Sequence, residues 1–323
     1  MLYPLKFRPI FKERVWGARN LERLYAKALP PSVPIGESWE ITDRPGDVSV
    51  IANGPLAGRD LRWLMENHSR ELLGDAKPLN GRFPLLIKIL DAQDTLSLQV
   101  HPPAAKAAEL KGEPKTEMWF ITEAQPDAAL FVGLRRGVTR TEFEGKIGDG
   151  TVAECFHRHN VKAGDAMFLP SGRVHAIGAG NVIFEIQQNS DTTYRVFDWN
   201  RVGLDGRPRE LHIAQSLASI DFADFEPPLE SRASTAQGAA TVRRIADCDL
   251  FRVEHVELAA GKSLDLAPQT LHILGVVSGE LTVTSSGEAI AMGAGEFSLV
   301  PASVAARVQA GSSATFLRAN VGS

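Results

Sequence analysis

With 323 residues, the chain is long enough to bury a large core in one large or two moderate domains. Its 44% hydrophobic and 23% charged residues and net charge of −4 describe a water-soluble globular protein, without the broad basic surface that nucleic acid or an anionic membrane requires. No run of eighteen apolar residues occurs, and Met1 to Pro9 lacks the apolar centre of a signal peptide, so a cytoplasmic protein with no membrane partner is expected.

Helical periodicity marks residues 21–28 and again 61–67, where Asp60 is placed to cap the first turn. Short runs rich in apolar and β-branched residues, bounded by Gly, Pro or Asp, predict strands over 85–90 and 95–101. A helix is predicted over 103–111, strands over 117–122, 129–134, 166–169, 182–188 and 193–197, and a last helix over 211–220. Many strands and few helices predict a mainly β sandwich or barrel core with helical decoration. Strict β-α alternation is missing, so Gly178 and Gly180 read as a turn and not as a dinucleotide loop, and no Gly-rich phosphate loop ending in Lys is present. Cys155 and Cys248 lie far apart, which argues against a disulfide framework or a four-cysteine zinc module and predicts two buried thiols.

A faint internal repeat refines the architecture. Gly164-Asp165-Ala166-Met167-Phe168-Leu169-Pro170 is echoed by Gly295-Glu296-Phe297-Ser298-Leu299-Val300-Pro301, a Gly-acid, apolar-strand, Pro unit similar to that of double-stranded β-helix (cupin, or jelly-roll) domains. His175 stands five residues beyond the first Pro, Ala306 five beyond the second, so the second copy lacks the side chain that could hold a metal. The polar segment 226–238, with Pro227-Pro228, reads as a linker. The division expected is a site-bearing cupin domain with helical elements over 1–225 and a smaller, degenerate cupin-like β domain over 239–323.

The chemistry concentrates in the first copy. Along a strand, Ser97, Gln99 and His101 share one face while Leu96, Leu98 and Val100 share the other. Lys115-Thr116-Glu117 follows, and Pro170-Ser171-Gly172-Arg173-Val174-His175 supplies a second imidazole. Two imidazoles, one carboxylate and an amide oxygen form a mixed nitrogen and oxygen donor set acceptable to Zn²⁺, and also to Mn²⁺ or Fe²⁺. His101, Glu117 or His175 taken singly would read as a hydrogen-bonded or surface residue; the combination makes them ligand candidates. His157 and His159 also share a strand face, and a surface or structural role is expected for them. Lys88, a charge inside the apolar run Ile87-Lys88-Ile89, needs a buried partner or a site to point into.

This motif order resembles the type I phosphomannose (mannose-6-phosphate) isomerases in their short bacterial form. The resemblance rests on Gln99-x-His101, Lys115-x-Glu117, the Pro170-Ser171-Gly172 turn before His175, Thr193-Tyr194-Arg195, and the N-terminal Gly36-Glu37-Ser38-Trp39-Glu40-Ile41. It implies a metal-dependent interconversion of mannose 6-phosphate and fructose 6-phosphate through an enediol-like intermediate. One zinc ion per chain would be held by Gln99, His101, Glu117 and His175. It places a catalytic arginine at Arg195, and Lys115, two residues before Glu117, is the candidate base or relay. Ser97 and Arg201 match positions linked to the phosphate end, and Lys88 is added to them as a buried cation. Other readings are a cupin metal oxygenase and a non-catalytic sugar-phosphate-binding cupin. The partner expected is a phosphorylated hexose, with the protein a monomer or weak homodimer.

Overall fold

Strands carry far more of the chain than helices do in the computed structural model, which describes residues 1–285 and 287–322. Four sheets form two face-to-face pairs, the mainly β architecture expected of cupin-type proteins. The first pair has a six-stranded sheet, ordered Ile10–Ala18, Ile35–Ile41, Leu85–Ala92, Asn181–Gln188, Glu117–Ala124, Ala166–Leu169. Opposite it is a five-stranded sheet, ordered Tyr194–Phe197, Leu98–Val100, His175–Ile177, Ala129–Leu134, Phe156–Asn160. The second pair repeats the plan, with Phe297–Val300 at the edge of its six-stranded sheet and Ala306–Ala310 within its four-stranded one. Ala166–Leu169 holds that edge place in the first pair, so the repeated Gly-acid-strand-Pro units fill equivalent positions. His175 and Ala306 each begin a strand of the smaller sheet.

The large sheet of the first pair is buried on both faces. Ile89, Phe184 and Phe120 form one cross-strand row and belong to a core shared with the C-terminal strands. Phe184 meets Phe297 with ring centroids 4.9 Å apart, and Phe120 stacks on His255 at 5.2 Å. The neighbouring row, Trp39, Lys88, Glu185 and Trp119, turns the other way, toward the five-stranded sheet. The C-terminal half therefore supplies the apolar cover of the sheet that carries the charges, and the N-terminus joins it through Leu5, whose N–H and C=O both bond Leu299.

Several boundaries differ from those expected. Asp60 does cap its helix, accepting from Trp63 N at 2.7 Å, but the helix runs Leu61–Leu73 across a kink at His68. The first helix, Asn20–Tyr25, stops early because Ala26 adopts φ +50°. The others shrink to Ala104–Ala107 and Ile213–Ser219. Helix Arg140–Asp149 escapes sequence detection because it buries only Phe143, leaving no apolar stripe to read. Within the expected linker, Thr235–Gln237 is a strand that turns at Gly238 (φ +61°) to pair with Ala240–Asp247. Cys155 is buried as expected, whereas Cys248 is half-buried.

Candidate metal centre

The five-stranded sheet places three candidate residues in one row: Gln99 stands between His175 on one neighbouring strand and Arg195 on the other. His101 follows the end of the same central strand, at a proline that removes the next ladder donor. Glu117 comes from the facing sheet, paired in register with Gln187 at the start of its strand. The site is thus built where two sheets close on each other, and its residues come from strands distant in sequence.

His101, Glu117 and His175 are at most 1% exposed and offer ligand atoms all within 4.8 Å of one another. His101 Nε2 is 3.4 Å from Glu117 Oε1, His175 Nε2 is 3.7 Å from Oε2, and the Gln99 amide nitrogen is 3.3 Å from His175 Nε2. Each imidazole is oriented from behind: His101 Nδ1–H donates to the Thr192 carbonyl at 2.7 Å and His175 Nδ1–H to the Arg173 carbonyl at 2.9 Å. That tautomer leaves both Nε2 lone pairs facing Glu117. Neither Glu117 oxygen has a well-directed hydrogen bond, although Lys115 Nζ lies 2.5 Å from Oε1. Buried lone pairs without donors are costly, and a cation among them would satisfy all three residues. The donor set fits a divalent metal.

The charges reinforce this. Burial alone would push the Glu117 carboxyl up, but the Lys115 ammonium beside it holds it well below the usual range. Burial and the His101 neighbour bring His175 down to about 3, and burial and Lys115 lower His101, so both rings are neutral near pH 7. Burial would lower Lys115, yet Glu117 and Glu185 raise it. In the metal-free chain a carboxylate faces the Lys115 ammonium and keeps it charged.

In front of the three residues opens a cavity of about 580 Å³ lined by Ser97, Gln99, Lys88, Lys115 and Arg195, among others. Lys88 is not a free cation: its Nζ is 3.3 Å from Glu185 and 3.8 Å from Glu37, and 5.1 Å from the Trp39 ring centre. Arg201 does not line the cavity. After Asp198, the left-handed Trp199 (φ +56°) and Asn200 (φ +54°) turn the chain sharply, and Arg201 closes onto Asp198, Asp94 and the Thr95 carbonyl. In this structure Arg201 is thus held on these acceptors and does not face the cavity. His157 and His159 stack edge to face at 4.3 Å on the outer edge strand, outside the cluster.

Sequence reasoning missed Glu37, Glu185, Arg14 and Arg209, which also line the cavity. Glu37 and Glu185 had a signal: each is a carboxylate within a strand whose every residue is buried. Burial would raise Glu37, but Lys88, Arg14 and the Trp39 indole N–H bring it down to about 2. Glu185 moves the opposite way, raised by burial and by Glu117. Arg209, in a polar loop, had no such signal.

Comparison with known proteins agrees with this geometry. Residues 4–116 match the phosphomannose isomerase type I catalytic domain. The mannose-6-phosphate isomerase ManA of Bacillus subtilis is 37% identical over 92% of this chain and 93% of its own length, and that of Streptococcus mutans 36% over 93% of each. A crystal structure of the Bacillus subtilis mannose 6-phosphate isomerase superposes with a TM-score of 0.90 at 29% identity, covering 99% of this chain and 100% of that one. A putative mannosephosphate isomerase from Archaeoglobus fulgidus, at 20% identity and TM-score 0.76, covering 99% of this chain and 98% of its own, shares the fold. With a buried His-Glu-His group set against Gln99 and Lys115, which line a charged cavity, and relatives aligned over more than nine-tenths of both chains, the chain belongs to the type I phosphomannose isomerases, a metal-dependent family.

Proposed function

We propose that the protein is a mannose-6-phosphate isomerase that interconverts mannose 6-phosphate and fructose 6-phosphate. The observation that carries this reading is Glu117 between two neutral imidazoles, with Lys115 beside it lining a cavity large enough for a hexose phosphate. His101 and His175 through Nε2, Glu117, and Gln99 through its amide oxygen are assigned as holders of one zinc ion per chain; Mn²⁺ or Fe²⁺ would suit the same donors. Bound there, the ion supplies a Lewis acid at the reacting oxygens of the sugar.

The chain's own residues do the rest. The reaction removes the proton on C2 and returns one to C1 while negative charge develops on the sugar oxygens. Lys115 Nζ, 3.5 Å from His101 Nε2, and the Glu185 carboxyl, whose Oε2 has no hydrogen bond, are proton-exchanging groups at the cavity. Lys115 is the base or relay of this reading. Arg195 supplies fixed positive charge: only its Nη1 bonds, to the Glu210 carbonyl at 2.8 Å, while its buried Nε has no partner. Ser97, almost fully buried beside Gln99, offers a hydroxyl to the substrate. Relatives of matching length named as isomerases favour this over the oxygenase and non-catalytic readings. Among the described residues no helix is long and apolar enough to cross a membrane, and we place the enzyme in the cytoplasm as a monomer or weak homodimer.

Incubating the protein with mannose 6-phosphate in D₂O tests this. Fructose 6-phosphate should form, with deuterium at C1 to the extent that the transferred proton exchanges with solvent. No ketose product from metal-loaded protein would refute the proposal.

A further inference from the structure

Most cations of the cavity are already matched by carboxylates. Arg14 Nε sits 2.8 Å from Glu37, Lys88 lies between Glu37 and Glu185, and Lys115 is on Glu117. A phosphate dianion needs a place where positive charge and free donors remain, and one end of the cavity differs in this respect. There Arg201 and Arg209 both bond the Asp198 carboxylate and Arg195 lines the cavity together with Arg209, with the mostly exposed Asp94 engaging only Arg201. Asp198 sorts two of these arginines. Arg201 is turned away onto Asp94 and the Thr95 carbonyl, whereas Arg209, returning after the loop closed by Gly203 N–H to Arg207 O, lines the cavity.

We propose that Arg209, oriented by Asp198, is the side chain that recognises the substrate phosphate and makes the site selective for a phosphorylated hexose over the free sugar. This rests on the sugar-phosphate reading above. Arg209 binds Asp198 through Nε, at 2.7 Å from Oδ2, and through Nη2, so the plane of its guanidinium is fixed. Its Nη1 makes no hydrogen bond to the described residues and is left for a ligand oxygen. A planar, preoriented guanidinium suits a phosphate better than a flexible ammonium does. Asp198 is a positioning residue in this account and touches no substrate.

The test uses full-length, metal-loaded protein. For Arg209→Ala, the KM for mannose 6-phosphate should rise about 10- to 100-fold, as expected for one charge-assisted hydrogen bond lost. The change in kcat should be much smaller. Inorganic phosphate, as a competitive inhibitor and in calorimetry, should weaken by the same factor. Arg209→Lys should recover only part of the affinity, and Asp198→Asn should weaken phosphate binding with metal content unchanged. If Arg209→Ala folds poorly, Arg209→Lys and Arg209→Gln give the same reading. Wild-type KM and wild-type phosphate affinity in any folded Arg209 variant would overturn the proposal. Because phosphate calorimetry needs no turnover, a wild-type protein without isomerase activity would refute the proposed function and leave the Arg209 assignment standing or falling on its own data.

Discussion

Replacing Glu117 by Gln keeps the shape of the side chain and removes the single carboxylate of the proposed ligand set. In the metal-free protein, Lys115, 5% exposed, then loses the carboxylate 2.5 Å from its ammonium. Breaking one partner out of a buried ion pair costs about 3–5 kcal/mol. Here the low end of that range applies, because Glu185 also acts on Lys115 and remains. Denaturant unfolding of metal-free wild type and Glu117→Gln should therefore differ by about 3 kcal/mol. Combining Glu117→Gln with Lys115→Met should cost clearly less than the sum of the single changes, since the stranded charge is gone. Metal titration by calorimetry should show a loss in affinity well beyond tenfold. Equal stability together with unchanged metal affinity would refute both the pairing and the ligand role.

Other outcomes follow from the same geometry. His101→Ala and His175→Ala should purify with little metal and negligible turnover, read by elemental analysis and a coupled assay. Arg195→Ala should keep its metal but lower kcat/KM and kcat by about 10²–10³, with Arg195→Lys failing to restore them; near-normal kcat would remove Arg195 from the reaction. For pH, His175 has its folded pKa depressed to about 3 against about 6.5 unfolded, so its contribution is present above about 6.5 and lost as pH falls toward about 3. Metal-free protein should accordingly lose about 2 kcal/mol from this group between pH 7 and pH 5, and His175→Gln should flatten that dependence in urea midpoints. Elemental analysis should find one tightly held transition metal per chain, and a second ion lost on mutation near His272 would contradict the structural role given to the C-terminal copy.

The legible parts of the site were those with short-range signatures. Gln99 and His101 share a strand face by the two-residue alternation, and their pairing to His175 follows once two strands are adjacent. The Gly-acid-strand-Pro repeat made the repeated sheet pairs readable, because its two units fill equivalent edge positions. What escaped depends on long-range packing. Glu37 and Glu185 reach the cavity only because a sheet buried on both faces turns one row of charges inward. Lys88 was recognisable as an anomaly, but its partners lie 51 and 97 positions away in the chain. The placement of Arg201 was not readable because two left-handed residues redirect the chain after Asp198, and Trp199 and Asn200 carry no strong sequence mark of that turn.

The most direct test of the central claim couples fructose 6-phosphate formation to metal content in one preparation. Purified protein should convert mannose 6-phosphate, lose that activity in step with removal of one metal ion per chain by a chelator, and regain it on adding one equivalent of Zn²⁺, while His175→Ala stays inactive throughout. Turnover that persists after the metal is gone, or that survives in His175→Ala, would contradict the account.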